Sequence, residues 1–175
     1  MKAWQFVHNG AMTQTLRLIA LLVSAVFSLN LSAQVLKPMP EIAAEKKQER
    51  FPGDPASHKL VYMFNQADLA YQTSVLNSIQ AIIKVYGDDA SIALVAIGPG
   101  IHAFAQKPKR ETHKEITDRI ENFAKSYGVR FIVCGNTMNT VGYAEADMKP
   151  FTEYALVGAA ALMRLQEEGF KPIFW

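Results

Sequence analysis

Nothing else in this sequence limits the fold as strongly as a short β-branched and aromatic run at residues 129–134. Gly128 precedes the run and the polar segment Gly135-Asn136-Thr137 follows it, which predicts a buried strand that turns directly into a helix. The only cysteine of the chain, Cys134, lies at the end of that strand. Ligands of open α/β sheets bind outside the carboxyl ends of the strands, and the unpaired N–H groups of a helix start stabilise a thiolate. Cys134 is therefore the first candidate for chemistry.

Apolar runs typical of buried strands alternate with stripes of helical periodicity along the chain. The predicted strands lie at 59–64, 91–97, 129–134 and 171–175, and a fifth is expected within 101–107 or near Phe151. The first predicted helix is capped by Asp68 and ends at Gly87, and the second begins with a capping box at 112–115 and ends at Gly128. A short helix or turn at 136–143 and an Ala-rich helix at 154–168 follow. Residues 101–110 are expected to be irregular. Such alternation implies right-handed crossovers. We predict an α/β fold, a single three-layer domain with a mostly parallel, four- to five-stranded sheet and helices on both faces.

The N-terminal third predicts an export signal followed by a surface arm. Residues 18–29 form an apolar run that is too short to span a bilayer as a helix but suits a secretory signal, and Ser32-Ala33 supplies small residues for cleavage. We predict a signal peptide at 1–33, with Met12 as an alternative start and an uncleaved membrane anchor as the alternative interpretation. Residues 34–58, rich in proline and charge, are assigned to a linker or arm, and residues 59–175 to the domain. The mature chain is expected in the periplasm or secreted, without stable membrane insertion.

Charge and cysteine content narrow the function classes. Residues 1–33 hold two of the 18 basic residues and none of the 16 acidic ones, so the remaining chain is formally neutral. A neutral chain lacks the basic footprint of a nucleic-acid-binding protein, and no nucleic-acid partner is expected. A single cysteine cannot close an internal disulfide, so Cys134 is a buried inert residue, an intermolecular bridge or a reactive thiol.

No metal and no cofactor is expected. After the signal segment the histidines are His58, His102 and His113, and none stands at a ligand spacing from another or from an acidic residue. The 98–100 turn has the glycines of a dinucleotide-binding motif. That motif requires the first strand, a helix at the second glycine and an acidic residue on the next strand, and the chain has none of these at this position.

Two groups near the predicted sheet edge have competing interpretations. His102 follows the second strand and is either a neighbour of Cys134, since both follow carboxyl ends of parallel strands, or a solvated loop histidine. Lys107, Lys109 and Arg110 either guide an anionic substrate or form a solvated loop.

Four segments resemble the DsrE/DsrF-like family, in particular its exported branch. They are GVRFIVCGNTM at 128–138, VAIGPG at 95–100, DMKP at 147–150 and LMRLQEEGFKPI at 162–173. The resemblance covers nearly all of residues 59–175. It implies a flavodoxin-like layered fold, assembly into trimers or hexamers, and a cysteine after the corresponding strand that carries a persulfide, which is the position of Cys134.

Two hypotheses follow for the function. In the first, the chain is an exported sulfur carrier or relay in which Cys134 accepts a sulfane sulfur from a donor and passes it to an acceptor by thiol exchange. The pocket would be lined by Gly135, Asn136, Thr137, Gly98, Gly100 and His102. In the second, the chain is a non-enzymatic oligomeric binding or structural module with Cys134 in its core. No general base accompanies the thiol in sequence, which favours a relay or binding protein without independent turnover.

Overall fold

The structure, a computed structural model, describes residue 51 and residues 53–175. The predicted signal segment at 1–33 and most of the predicted arm, residues 34–50, lie outside the described residues, and those predictions stay untested. Within the described part of the chain, no helix has both the length and the apolarity that a membrane span requires.

The described residues form one parallel sheet. Its strands are β1 (His58–Phe64), β2 (Ala90–Ala96), β3 (Arg130–Cys134), β4 (Thr152–Ala155) and β5 (Lys171–Ile173). They lie in the order β4-β3-β2-β1-β5, and each neighbouring pair is parallel. Because all the strands point the same way, the segments that follow β1 to β4 meet at one edge of the sheet. The predicted α/β class is confirmed.

The helices lie on both faces of this sheet. They are α1 (Leu69–Tyr86), α2 (Lys114–Tyr127), α3 (Gly135–Val141) and α4 (Gly158–Glu167). The chain steps in one direction from β1 to β4 and then returns past β1 to add β5. Right-handed crossovers put the helices of the forward steps on one face and the helix of the return step on the other. The layering is that of flavodoxin, except that the edge strand beside β1 comes last in the chain here and second in flavodoxin.

Alternate strand residues build a separate core on each face, as the two-residue period of a strand requires. On the side of α1 and α2, the ring of Phe104 lies 5.7 Å from that of Phe64 and 5.5 Å from that of Phe131. On the side of α4, the smaller core contains Val61, Ala93, Val95, Ile132, Ala161, Leu165 and Phe170. Cys134 is two residues beyond Ile132 on β3, so it faces α4.

Most helix ends follow the predicted capping residues. Asp68 caps α1, with its Oδ1 accepting the Tyr71 N–H at 2.8 Å, and Gly128 follows α2 in the left-handed conformation at φ 63°. The predicted capping box at 112–115 is wrong. His113 occupies the N-cap position of α2 without a side-chain hydrogen bond, so the helix starts one residue later than the box requires.

The last crossover differs from the prediction at two points. The predicted helix at 154–168 begins only at Gly158, and residues 152–155 form β4 beside β3, with Cys134 opposite Ala155. Alanine favours a helix locally, but pairing with the open edge of β3 decides the conformation. This strand is the fifth one expected near Phe151. The alternative location, 101–107, instead overlaps a 3₁₀ helix at Gly98–Phe104 and an antiparallel bridge between Ala105 and Met148.

Candidate functional site

Cys134 is the last residue of β3, and α3 begins at the next residue. Its side chain is only 4% exposed, at the sheet edge where the strands end. The ring of Tyr154 lies against Gly135 in this turn. A Cβ atom at position 135 would lie 2.3 Å from the Tyr154 hydroxyl oxygen, which is closer than real Cβ atoms approach. A side chain at position 135 would therefore displace the ring of Tyr154, which is 43% exposed.

The start of α4 supplies a hydrogen-bond donor to the Cys134 sulfur. The Gly158 N–H donates to Sγ at an N···S distance of 3.1 Å. The Asn136 N–H, two residues after Cys134, donates to the Leu156 carbonyl oxygen at 3.0 Å and so ties the start of α3 to the same segment. Burial raises the pKa of the Cys134 thiol, but the neighbouring polar groups of Thr137, Gly158 and Asn136 outweigh burial and hold the pKa below its ordinary value. These surroundings therefore favour the thiolate more than water does.

Gly158 is the residue of this site that the sequence analysis missed. A Cβ at position 158 would lie 2.9 Å from the Cys134 Cβ and 2.8 Å from the Ile97 Cγ1, so only glycine lets the start of α4 approach the thiol this closely. The Leu156-Val157-Gly158 step before an Ala-rich helix is a usable signal for a close approach. Because the predicted helix begins at Tyr154, Gly158 falls inside it and the signal is missed.

The turn after β2 joins the same site. The Gly98 N–H donates to the Thr137 hydroxyl oxygen at 3.1 Å, and Gly98 adopts a positive φ of 56°. Four of the residues predicted for the pocket, Gly98, Gly135, Asn136 and Thr137, are thus brought together around Cys134. Thr137 connects the start of α3, directly after Cys134, to a turn that lies 39 residues away in sequence.

Gly100 lies against the end of β1. A Cβ at this position would lie 2.3 Å from the Phe64 carbonyl oxygen. Its glycine is explained by this close approach of two backbones, which gives it a packing role within the predicted pocket.

His102 is directed away from the thiol. It is 3% exposed, and its Nδ1 lies 2.8 Å from the hydroxyl oxygen of Tyr143. Burial, and then the charges of Arg110 and Lys109, lower the pKa of His102. The solvated-loop interpretation is wrong, because the 3₁₀ helix that follows β2 carries His102 into the core.

Lys109 has a structural contact that neither interpretation of the basic cluster foresaw. Its Nζ donates to the carbonyl oxygens of Val141, at 3.1 Å, and Gly142, and lies 4.9 Å from the centre of the Tyr143 ring. A cation at a helix C-terminus satisfies its last carbonyl groups and interacts favourably with the helix dipole. Lys109 therefore ties the segment after β2 to the end of α3.

A cleft of about 190 Å³ lies on the other side of β3, lined by Val133, Met138, Glu145, Met148, Lys149, Pro150, Thr152 and Tyr154. None of the residues predicted for the pocket lines it. Within residues 53–175, no three histidine, cysteine or acidic side chains are grouped as a metal site would require.

Comparisons with known proteins agree with this architecture. Residues 50–174 match the model of the DsrE/DsrF-like family. The structure is similar to that of MTH1491, a protein of unknown function from Methanobacterium thermoautotrophicum, with a TM-score of 0.59 and 17% identity over 67% of this chain and 98% of that one. It is also similar to the YchN protein of E. coli, with a TM-score of 0.54 and 13% identity over 67% and 97% of the two chains.

At such identities the likeness to the solved structures shows a shared fold. A search of curated proteins finds no match to this sequence. The family match covers more than half of the chain and includes every strand and helix described above. The chain therefore belongs to the DsrE/DsrF-like family.

Proposed function

We propose that this protein is a sulfur carrier in which the Cys134 thiolate accepts a sulfane sulfur and passes it on. The observation that carries the proposal is the hydrogen bond that the buried Sγ accepts from the Gly158 N–H at the start of α4, at 3.1 Å. Burial raises the pKa of the thiol, but the polar groups of Thr137, Gly158 and Asn136 lower it by more. A buried cysteine with a purely structural role packs as a small hydrophobe and needs no such donor. Polar groups that lower the thiol pKa instead increase the fraction of the nucleophilic form.

The transfer is an exchange at sulfur with no net redox change. The Cys134 Sγ attacks the outer sulfur of a donor persulfide, a new S–S bond forms, and the S–S bond of the donor breaks. The donor leaves as a thiolate that takes up a proton from water, and Cys134 holds the persulfide. An acceptor thiolate then attacks the outer sulfur and regenerates the Cys134 thiolate.

The same contacts favour a carrier without independent turnover. The group that donates to Sγ is the Gly158 backbone N–H, which is not a general base. The chain has one cysteine, so a persulfide on Cys134 has no second thiol within the chain to resolve it. Both the sulfur donor and the acceptor are accordingly other molecules.

The proposal includes the compartment in which the protein acts and its assembly. The apolar segment at 18–29 supports export to the periplasm or secretion. Next to the thiol, Leu156 is 70% exposed and Val157 is also exposed, which supports burial of this surface in a homo-oligomer, a trimer or hexamer, or against a partner.

The test is the intact mass of the purified protein before and after treatment with a small-molecule persulfide donor. We expect a gain of one sulfur atom that reductant reverses and that prior alkylation of Cys134 prevents. The matched control is Cys134→Ser, which should keep the wild-type oligomeric state and unfolding midpoint and gain no sulfur.

The alternative function, an oligomeric module with Cys134 as a core residue, predicts a different result. The thiol would then neither gain sulfur nor react with the alkylating reagent until the protein unfolds. That outcome would remove the carrier function.

A further inference from the structure

We propose that residues 156–158 form a strap over the Cys134 side chain, and that this strap opens locally, without unfolding of the sheet, to let a reacting molecule reach Sγ. The inference rests on the proposed function and deepens it, because it specifies how a buried thiol meets its substrate. It is carried by the burial of Cys134, which is 4% exposed, and by the close contacts of Gly158.

The strap lies directly against the cysteine. The Gly158 nitrogen is 3.1 Å from Sγ. A Cβ at position 158 would lie 2.9 Å from the Cys134 Cβ and 2.8 Å from the Ile97 Cγ1, so the backbone at this position contacts both side chains. The strap therefore covers the thiol from the side of α4.

Few contacts hold the strap closed. Leu156 and Val157 connect β4 to α4 and belong to neither element. The Asn136 N–H donates to the Leu156 carbonyl oxygen at 3.0 Å, and the Gly158 N–H donates to Sγ. Leu156 is 70% exposed and Val157 is 44% exposed, so their side chains bury little apolar surface. A segment with few buried apolar contacts opens at a lower free energy than the whole domain.

The strand that carries the thiol does not have this freedom. β3 pairs with β2 on one side and with β4 on the other, and its residues Ile132 and Val133 are buried. Exposing Sγ by moving β3 would break the sheet, whereas moving the strap breaks the two hydrogen bonds above. A persulfide also places a second sulfur atom about 2 Å from Sγ, and the closed strap leaves little room for it. Sulfur loading therefore requires the strap to open.

The first experiment uses the wild-type protein. The readout is the rate of Cys134 alkylation by iodoacetamide, followed by intact mass, at about pH 9.5, where an exposed thiol is ionised. The rate is measured at urea concentrations below the unfolding transition and divided by that of a cysteine in a short peptide. Local opening exposes little surface, so its free energy depends weakly on urea, whereas that of global unfolding depends steeply. We expect the relative rate to change by less than about two-fold before the transition begins. A rate that rises with the urea dependence of global unfolding from the first addition would overturn the inference.

The second experiment compares Gly158→Ala with Gly169→Ala. The methyl group at position 158 prevents the strap from closing, because of the two short approaches given above. Two net hydrogen bonds favour the closed strap roughly 5- to 150-fold, so Gly158→Ala should be alkylated faster than the wild type by a factor in that range.

Gly169→Ala is the matched control at the other end of α4. Gly169 has a φ of 91°, which alanine adopts only with strain, and no atom lies within 4 Å of the added methyl group. This variant should unfold at a lower urea concentration and keep the wild-type alkylation rate without urea. A wild-type rate in Gly158→Ala, or an equal acceleration in Gly169→Ala, would contradict the strap. Should Gly158→Ala fail to fold, the wild-type urea series decides.

Alkylation reports access to the thiol and does not require sulfur loading. A wild-type protein that gains no sulfur, combined with a urea-independent alkylation rate, would remove the carrier function and keep the strap. Sulfur loading combined with alkylation that follows global unfolding would do the reverse.

Discussion

Tyr143→Phe should destabilise the protein by an amount that can be worked out from its contacts. The Tyr143 side chain is 5% exposed, and its hydroxyl bridges two groups of the segment after β2. It lies 2.8 Å from the Nδ1 of His102 and accepts the Lys109 N–H at 2.7 Å. Because the oxygen already accepts from Lys109, its own proton is available for the Nδ1 of His102.

Phenylalanine keeps the ring and removes both hydrogen bonds. The Nδ1 of His102 is then buried without this partner, which costs roughly 1–3 kcal/mol. The Lys109 N–H is only partly buried and can find water, so its loss adds roughly 0.5–1.5 kcal/mol. We expect a loss of about 2–4 kcal/mol in the free energy of unfolding. With a urea m-value of roughly 2 kcal/mol per M, the midpoint should fall by about 1–2 M.

The assay is urea unfolding followed by circular dichroism at neutral pH. Tyr127→Phe is the matched control, since Tyr127 is 53% exposed and its hydroxyl loss should cost less than about 0.5 kcal/mol. A double variant with His102→Leu should lose less than the sum of the two single losses, because removing both partners leaves no buried acceptor unsatisfied. A Tyr143→Phe midpoint equal to that of Tyr127→Phe, or strictly additive losses, would refute the reasoning.

Two further predictions concern pH and capping. Burial, then Arg110 and Lys109, hold the pKa of His102 below its ordinary 6.5, so the stability that neutral His102 contributes is complete above 6.5 and declines as the pH falls below it. The urea midpoint of the wild type should therefore drop between about pH 7.5 and 5.5, and that of His102→Gln should drop less. Midpoints of the two proteins that fall equally with pH would contradict this prediction. Asp68→Ala removes the bond to the Tyr71 N–H and should cost about 1 kcal/mol, whereas Asp68→Ser should recover most of it in the same assay.

The boundaries that the sequence predicts well are those set by neighbouring residues. Asp68 caps α1, Gly128 ends α2 and the 129–134 run forms β3, because capping, left-handed turns and burial patterns each act over a few residues. The predicted start of α4 is too early for the opposite reason. At Tyr154 and Ala155 the local preference of an Ala-rich segment competes with strand pairing to β3, a partner about twenty residues away, and pairing wins.

The candidate site shows the same division between features set by neighbouring residues and features set by tertiary contacts. The sequence alone determined that Cys134 ends a buried strand, with Gly135, Asn136 and Thr137 following in a turn to a helix, since each of these is a local property. Only the tertiary structure decided which groups meet the sulfur and which do not. Gly158 reaches Sγ across 24 residues, Gly98 reaches Thr137 across 39, and His102 turns to Tyr143 across 41. Such contacts depend on strand order and on the return of α4 over the sheet, and no periodicity within one segment encodes them.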